Sequence, residues 1–343
     1  MKGRAFTLHL LFGLLYCMLA PAAWGADRVR VIVAGSERST NAQVLRDIAK
    51  HVAKPADIEF DVRHSPGSAE ALMRLRDGGG LQYAVLQADL AEALLGTAAR
   101  GSVEAGQLLA PLRVVAPLHE EEIYFMVRSD SPLNFIHEIE NARINVGLLR
   151  GDTALTVALL YRLMFNSALP EQQTSFHSHQ NALVKLTEQT VDVVALVAPQ
   201  PARLLADMTP EARRFVKLLK FDPKHPSAGA ILKLYSTKVV PAASYPNLLD
   251  QDLPALAVRI YLVSHGRNDA VQTRFANAWC QNLPRLRTDG YPGLRGLELG
   301  SEPLVSGWTY SRPVEREVAV CLGGKRAPAE PCSLEERVLG LCG

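Results

Sequence analysis

Four short stretches combine polar side chains with residues that open helices. They are Gly35-Ser36-Glu37-Arg38-Ser39, Gln87-Ala88-Asp89, Arg150-Gly151-Asp152-Thr153 and Pro199-Gln200-Pro201, each following a run that reads as a strand. In open α/β sheets such junctions lie beyond the carboxyl ends of the strands, where the first N–H groups of a helix are free to meet a ligand. The chemistry on offer is capture of a small polar molecule by hydrogen bonds and charge. Singly, Ser39, Asp89, Asp152 and Thr153 are also residues that simply cap helices. Four junctions spread over both halves of the chain fit a cleft between two lobes.

Bond-breaking chemistry lacks its usual signatures. The sequence holds no Gly-x-Ser-x-Gly elbow, no His-Glu-x-x-His, no phosphate loop and no dinucleotide glycine fingerprint. Gly78-Gly79-Gly80 reads as a turn before a strand, because a phosphate cradle must precede a helix. His177 and His179 could ligate a metal but read as solvated loop residues, and Glu120-Glu121-Glu122 could bind a cation but reads as a charged rim at a lobe junction. Trp279 and Trp308 are expected in cores. No cofactor is expected, and the chain is not expected to be an enzyme.

The elements that must position these residues alternate. Val29–Ala34 reads as a buried strand, Asn41–Val52 as a helix with Thr40 and Gln43 at capping-box spacing, and Ile58–Val62 as a strand. Ser68–Arg76, Tyr83–Leu86, Ala88–Leu95 and Leu112–Ala116 continue as helix, strand, helix and strand. A second series comprises helix Asn134–Ile139, strand Ile144–Gly147, helix Thr153–Phe165, strand Thr174–Phe176, helix Asn181–Glu188 and strand Val191–Val197. Strand Leu256–Val263 and helix Asp269–Leu283 close the pattern. Serial strand–helix–strand units imply parallel pairing, so the fold class is α/β. Two lobes are expected: residues 26–122 begin lobe I, 123–225 form lobe II, and 226–310 return mostly to lobe I. The chain would cross through Pro117–Arg128 and return through Asp222–Pro226, a two-strand hinge. Residues 311–343 read as a cysteine-containing tail.

The chain has 343 residues, 37 basic and 35 acidic. Residues 1–25 have the parts of a cleaved secretory signal: Lys2 and Arg4, an apolar run from Ala5 to Ala20, then Ala23-Trp24-Gly25. Without Lys2 and Arg4 the basic and acidic side chains balance at 35 each, which argues against a nucleic-acid partner. A periplasmic location and a monomer are expected. Cleavage would also remove Cys17 and leave Cys280, Cys321, Cys332 and Cys342 as disulfide candidates. Ser333 and Glu336 have capping-box spacing, so Leu334–Leu341 reads as a helix that holds Cys332 and Cys342 roughly 15 Å apart, too far for a bridge. Cys321–Cys332 is then the favoured pair, with Cys280 left for Cys342.

Order and spacing of several blocks resemble the TAXI group of TRAP-transporter solute receptors, from about Val29 to Trp308. The blocks are Ala84-Val85-Leu86-Gln87-Ala88-Asp89, Leu112-Arg113-Val114-Val115-Ala116, and Tyr124-Phe125-Met126-Val127-Arg128-Ser129-Asp130-Ser131. Asn145-Val146-Gly147 with Thr153 and Thr156 follows, then Val240-Pro241-Ala242-Ala243-Ser244-Tyr245-Pro246 with Asp252-Leu253-Pro254. The resemblance implies a two-lobed type II periplasmic-binding-protein fold with two crossing segments. It implies a small amino- or oxo-acid-like solute handed to the membrane permease subunits of a TRAP transporter. It transfers cleft roles to Ser36, Ser39, Gln87, Asp89, Thr153 and Tyr245. The family's glycine-rich first loop is here charged, and its Gly-Ser-Gly before Thr153 is Arg150-Gly151-Asp152. Asp152 brings a negative charge to a helix N-terminus that would otherwise favour an anion. If Arg150 pairs with it, the site suits a zwitterion; if Arg150 turns away, a cationic group facing Asp152 is expected. Two other readings of the chain are a ligand sensor signalling to a membrane partner and an enzyme on the same fold.

Overall fold

The structure is a computed structural model that describes residues 26–78, 80, 82–297 and 304–324. The expected signal segment lies outside the described residues. Three parallel strands, β1 (Asp27–Ala34), β2 (Ile58–Ser65) and β3 (Gln82–Gln87), begin it, linked by helices α1 (Thr40–Ile48) and α2 (Ser68–Arg76). β3 is buried along its whole length, as a parallel strand covered on both faces must be. Ser39, rather than Thr40, is the N-cap of α1, its hydroxyl accepting from the Ala42 N–H at 3.3 Å. Helices α3 (Asp89–Ala99) and α4 (Val103–Leu109) follow β3.

The chain then runs through one long strand, β4 (Arg113–Arg128). Its first half flanks lobe I, and its second half pairs with β7 (Val193–Ala198) and β8 (Val216–Leu218) of lobe II. The rest of lobe II comprises β5 (Ile144–Asn145), α5 (Asp152–Phe165), β6 (Thr174–Ser175), α6 (His179–Thr187), α7 (Arg203–Ala206), α8 (Ala228–Ile231) and β9 (Ser236–Val240). The return crossing is a second long strand, β10 (Leu253–His265), antiparallel to β4. Its start pairs with β9 and its end with β3. The sheet therefore reads β2-β1-β3-β10-β4-β7-β5-β6, with β8 and β9 attached to β4 and β10.

Pro117–Arg128 is the outward crossing, as expected, and it is strand throughout; Pro117, which cannot donate to a ladder, sits at a register irregularity opposite Tyr261. Two expectations need correction here. Asp222–Pro226 is not the return crossing. It turns into α8, and residues up to Leu253 pack in lobe II, where Val240, Tyr245 and Leu248 share a core with Leu196 and Ala202. Asn134–Ile139 forms only a single turn, Ile136–Glu138.

The C-terminal part is also more integrated than a tail. After β10 come α9 (Asp269–Asp289) and α10 (Arg312–Cys321). Val314 and Val318 of α10 join Phe275 and Trp279 of α9 in the lobe I core. Trp308 is buried and donates its indole N–H to the Ala88 carbonyl at 2.7 Å. Cys280 is bonded to Cys321, with a Cα separation of 6.2 Å, so the favoured Cys321–Cys332 pairing is overturned. The sequence reading missed α10, and with it the helix face that carries Cys321 back to α9. Cys332, Cys342 and the expected Leu334–Leu341 helix lie outside the described residues. No helix among the described residues is long and apolar enough to cross a membrane.

The Cys280–Cys321 bond closes a loop with a sequence separation of 41, which in a chain-entropy picture stabilises by about 4 kcal/mol. Non-reducing peptide mapping should recover Cys280 and Cys321 in one linked pair. Cys321→Ser should lower the midpoint of thermal unfolding by several degrees. A Cys321–Cys332 peptide would refute this assignment.

Candidate functional site

Strand ends bring polar groups of both lobes together where β4 and β10 cross. Ser68, at the first turn of α2, accepts from the Gln87 N–H at 3.0 Å and donates its own N–H to Asp152 Oδ1 at 2.6 Å. Asp152 belongs to lobe II, so its carboxylate bridges the N-termini of two helices from opposite lobes. The backbones approach closely as well: a Cβ on Gly67 would lie 2.5 Å from the Arg150 carbonyl oxygen. Beside this contact, Thr156 Oγ1 lies 2.7 Å from Asp89 Oδ2 and 3.1 Å from Gln87 Oε1. Tyr235 donates to the same Asp89 oxygen at 3.0 Å, leaving the buried Oδ1 without a partner.

The remaining expected site residues are placed differently. Ser36 is exposed, and Ser39 caps α1. Thr153 is buried and its hydroxyl accepts from the Val197 N–H at 3.3 Å, inside lobe II. Tyr245 is buried too, its hydroxyl accepting from the Ala202 N–H at 2.7 Å and meeting Tyr124 Oη at 3.0 Å. Arg150 turns away from Asp152: it is exposed and comes only within 3.9 Å of Glu70. His177 is partly exposed, and His179 packs against Gly147 with its Nε2 unpaired, so the two histidines do not form a site. No metal-holding cluster of three or more His, Cys, Asp or Glu occurs among the described residues.

On the other face of the crossing strands lies a cavity of about 380 Å³, lined in part by His119, Glu120, Glu122, Gln200, Lys238 and Tyr291. The glutamate run, expected as a solvated rim, is instead largely buried. Glu121 and Glu122 are 8% and 7% exposed. Its place within a continuous strand is the reason, because alternate residues of β4 must face opposite layers. Glu120 is neutralised by Lys238 and by Arg259 at 3.6 Å, and it accepts from Ser236 Oγ at 2.6 Å. Glu121 faces the His119 ring, with Nε2 3.4 Å from Oε1. The backbone N–H of Gln200 donates to Glu122, whose buried Oε2 has no partner. His119 Nδ1 is likewise buried and unpaired. Tyr291 stands edge-on to His119 at 5.9 Å and reaches Thr40 at the start of α1. An unpaired buried acceptor costs about 1–3 kcal/mol, so these atoms are expensive for the fold alone to keep.

Burial raises three of these carboxyls. It pushes Asp89 up to about 6 against hydrogen bonds from Thr156 and Tyr235, and Asp152 up to about 7, with Asp89 and Glu121 adding repulsion. It pushes Glu122 up to about 7 against its own and the Gln200 N–H groups and Lys238.

A carboxyl whose folded-state value is raised holds its proton longer folded than unfolded. The stability from Asp89, Asp152 and Glu122 is therefore fully present below about pH 4 and is lost as pH rises through about 6 to 7. The thermal midpoint should fall by a few degrees between about pH 5 and 8, and Asp152→Asn should flatten that fall while retaining an acceptor for Ser68. A midpoint that rises over this range, or an unchanged slope in Asp152→Asn, would contradict the account.

Residues 34–273, well over half of the chain, match the model of the NMT1-like family. No curated protein matches. Among solved structures, a ligand-free TctC solute-binding protein from Polaromonas is 14% identical with a TM-score of 0.46, covering 88% of this chain and 98% of that one. The periplasmic binding protein BugD is 12% identical with a TM-score of 0.48, covering 87% and 94%. On the extent of the family match, this chain belongs to the NMT1-like family.

Proposed function

We propose that the chain is a periplasmic solute-binding receptor of a TAXI-type TRAP transporter. It captures a small amino- or oxo-acid-like solute between its lobes and delivers it to the transporter's membrane permease subunits. The observation that carries this reading is the convergence of polar groups from both lobes around a cavity at a two-strand crossing, with buried acceptors left unpaired. Two lobes between which the chain crosses through β4 and β10 form a hinge, and closure about a hinge is how such folds hold a ligand. The sequence blocks around Gln87, Thr153 and Tyr245 supply the TAXI assignment. An enzyme reading gains nothing from the site: Cys280, the one thiol between the expected signal and the tail, is bonded to Cys321. The chain then acts without cofactor, as a monomer, after export through a cleaved signal.

Mass spectrometry of the purified protein after denaturation should reveal a released small molecule. Small-angle scattering with that solute restored should show a smaller radius of gyration than the solute-free protein. An unchanged radius at saturating solute would defeat the hinge reading.

A further inference from the structure

We propose that the cavity at the crossing receives a protonated amine of the solute, with Glu122 as its counter-ion and His119 as a second acceptor. This rests on the receptor reading and narrows the solute to an amine-bearing one, excluding oxo acids and dicarboxylates.

Two buried atoms without partners belong to residues that line the cavity: Glu122 Oε2, on a residue 7% exposed, and His119 Nδ1, on a residue 4% exposed. The missing partner of a carboxylate is a donor. The imidazole gives the same sign, since with Nε2–H donating to Glu121 its Nδ1 is an acceptor. An ammonium group carries three donors and a charge opposite to its surroundings.

The charges that line the cavity are mixed, Glu120 and Glu122 against Lys238 and Arg259, and Glu121 beside His119 adds a further carboxylate. Asp89 and Asp152 lie on the opposite face of the crossing, and no lysine or arginine forms an ion pair with them or with Glu121 among the described residues. Arg150, the residue placed in sequence to offset Asp152, is directed toward Glu70. Lys238 and Arg259 also border the cavity; both engage Glu120, and Lys238 also attracts Glu122 without bonding its free oxygen. The Ser68 N–H at the α2 N-terminus, a donor of the kind that holds a carboxylate, is met by Asp152. Tyr291 adds an aromatic wall, a surface that accepts cations well.

Protonation of Glu122 competes with the amine. The groups that face it are Glu120 and Tyr124 on β4, Lys238 on β9, Arg259 on β10, and the hydroxyls of Tyr245 and Tyr291. Burial holds Glu122 near 7, so amine binding should weaken as pH falls from about 8 to 6.

The test is calorimetry on the purified protein with putrescine, γ-aminobutyrate and glutarate at pH 8 and pH 6, on wild type and Glu122→Gln. At least one amine should bind and glutarate should not. Binding should weaken at pH 6, and Glu122→Gln should weaken it by about tenfold or more. γ-Aminobutyrate alone would identify a zwitterionic solute, putrescine alone a dication, and either supports the proposal. The wild-type arms decide even if Glu122→Gln does not fold. Glutarate binding with both amines silent overturns the proposal and leaves the receptor reading standing. Silence of all three overturns the proposal, and the receptor reading falls with it only if the protein also releases no solute on denaturation.

Discussion

The antiparallel pairing of β4 with β10 is the constraint on which the rest of the molecule depends. Paired residues run from Arg113 opposite Ser264 to Ile123 opposite Leu256, so one ladder passes through both lobes. It satisfies the backbone across the junction, and side chains there are released from building a continuous apolar layer. On the cavity face the lobe I core ends near Leu118 and the lobe II core begins at Tyr124. The interval between them is His119-Glu120-Glu121-Glu122-Ile123, of which Ile123 packs in the core of the other face, and the cavity is the gap between the two cores.

Placing carboxyls in that gap is costly, and the structure answers the cost unevenly. Glu120 is paired, Asp152 takes an N–H from the opposite lobe, and Asp89 receives two hydroxyls on one oxygen. Glu122 keeps one oxygen unanswered, as Asp89 does on the other face. A fold optimised for stability alone would favour an apolar residue there, since a half-satisfied buried polar group is worse than none. Retained unpaired acceptors beside an empty volume are a cost that a donor from a ligand offsets once the lobes move to admit it.

Much of the architecture was legible in the sequence because its strands and helices obey simple periods. VRVIVA reads as a buried strand and is one in all but the exposed Arg30, and the helix after Arg150-Gly151-Asp152 begins at Asp152, one residue before the expected start. What was not legible depends on partners distant in the chain. Three consecutive glutamates look solvated until β10 is known to pair beside them. Asp222–Pro226 has the composition of a crossing, yet the return lies in Leu253–His265, an apolar run whose length alone hints that it spans two lobes. α10 was obscured by Pro313 in its first turn, a position where proline is tolerated. The site divides the same way: Gln87, Asp89 and Asp152 meet at the crossing, whereas Glu122 was noticed only as part of a charged run and His119 carried no local signal.

The two faces of the crossing also differ in what lobe motion would disturb. On one face Leu90 and Ala91 of α3 share a core with Val157 and Leu160 of α5, and the Asp89–Thr156 and Ser68–Asp152 hydrogen bonds lie at the same seam. Separating the lobes there would expose apolar surface and break buried hydrogen bonds together. On the other face the cores are already apart and the intervening volume is lined by polar groups. A hinge built this way opens more cheaply on the cavity side, pivoting about the seam. A solute entering from that side need not displace Asp152, so the interlobe contact can persist while the site fills.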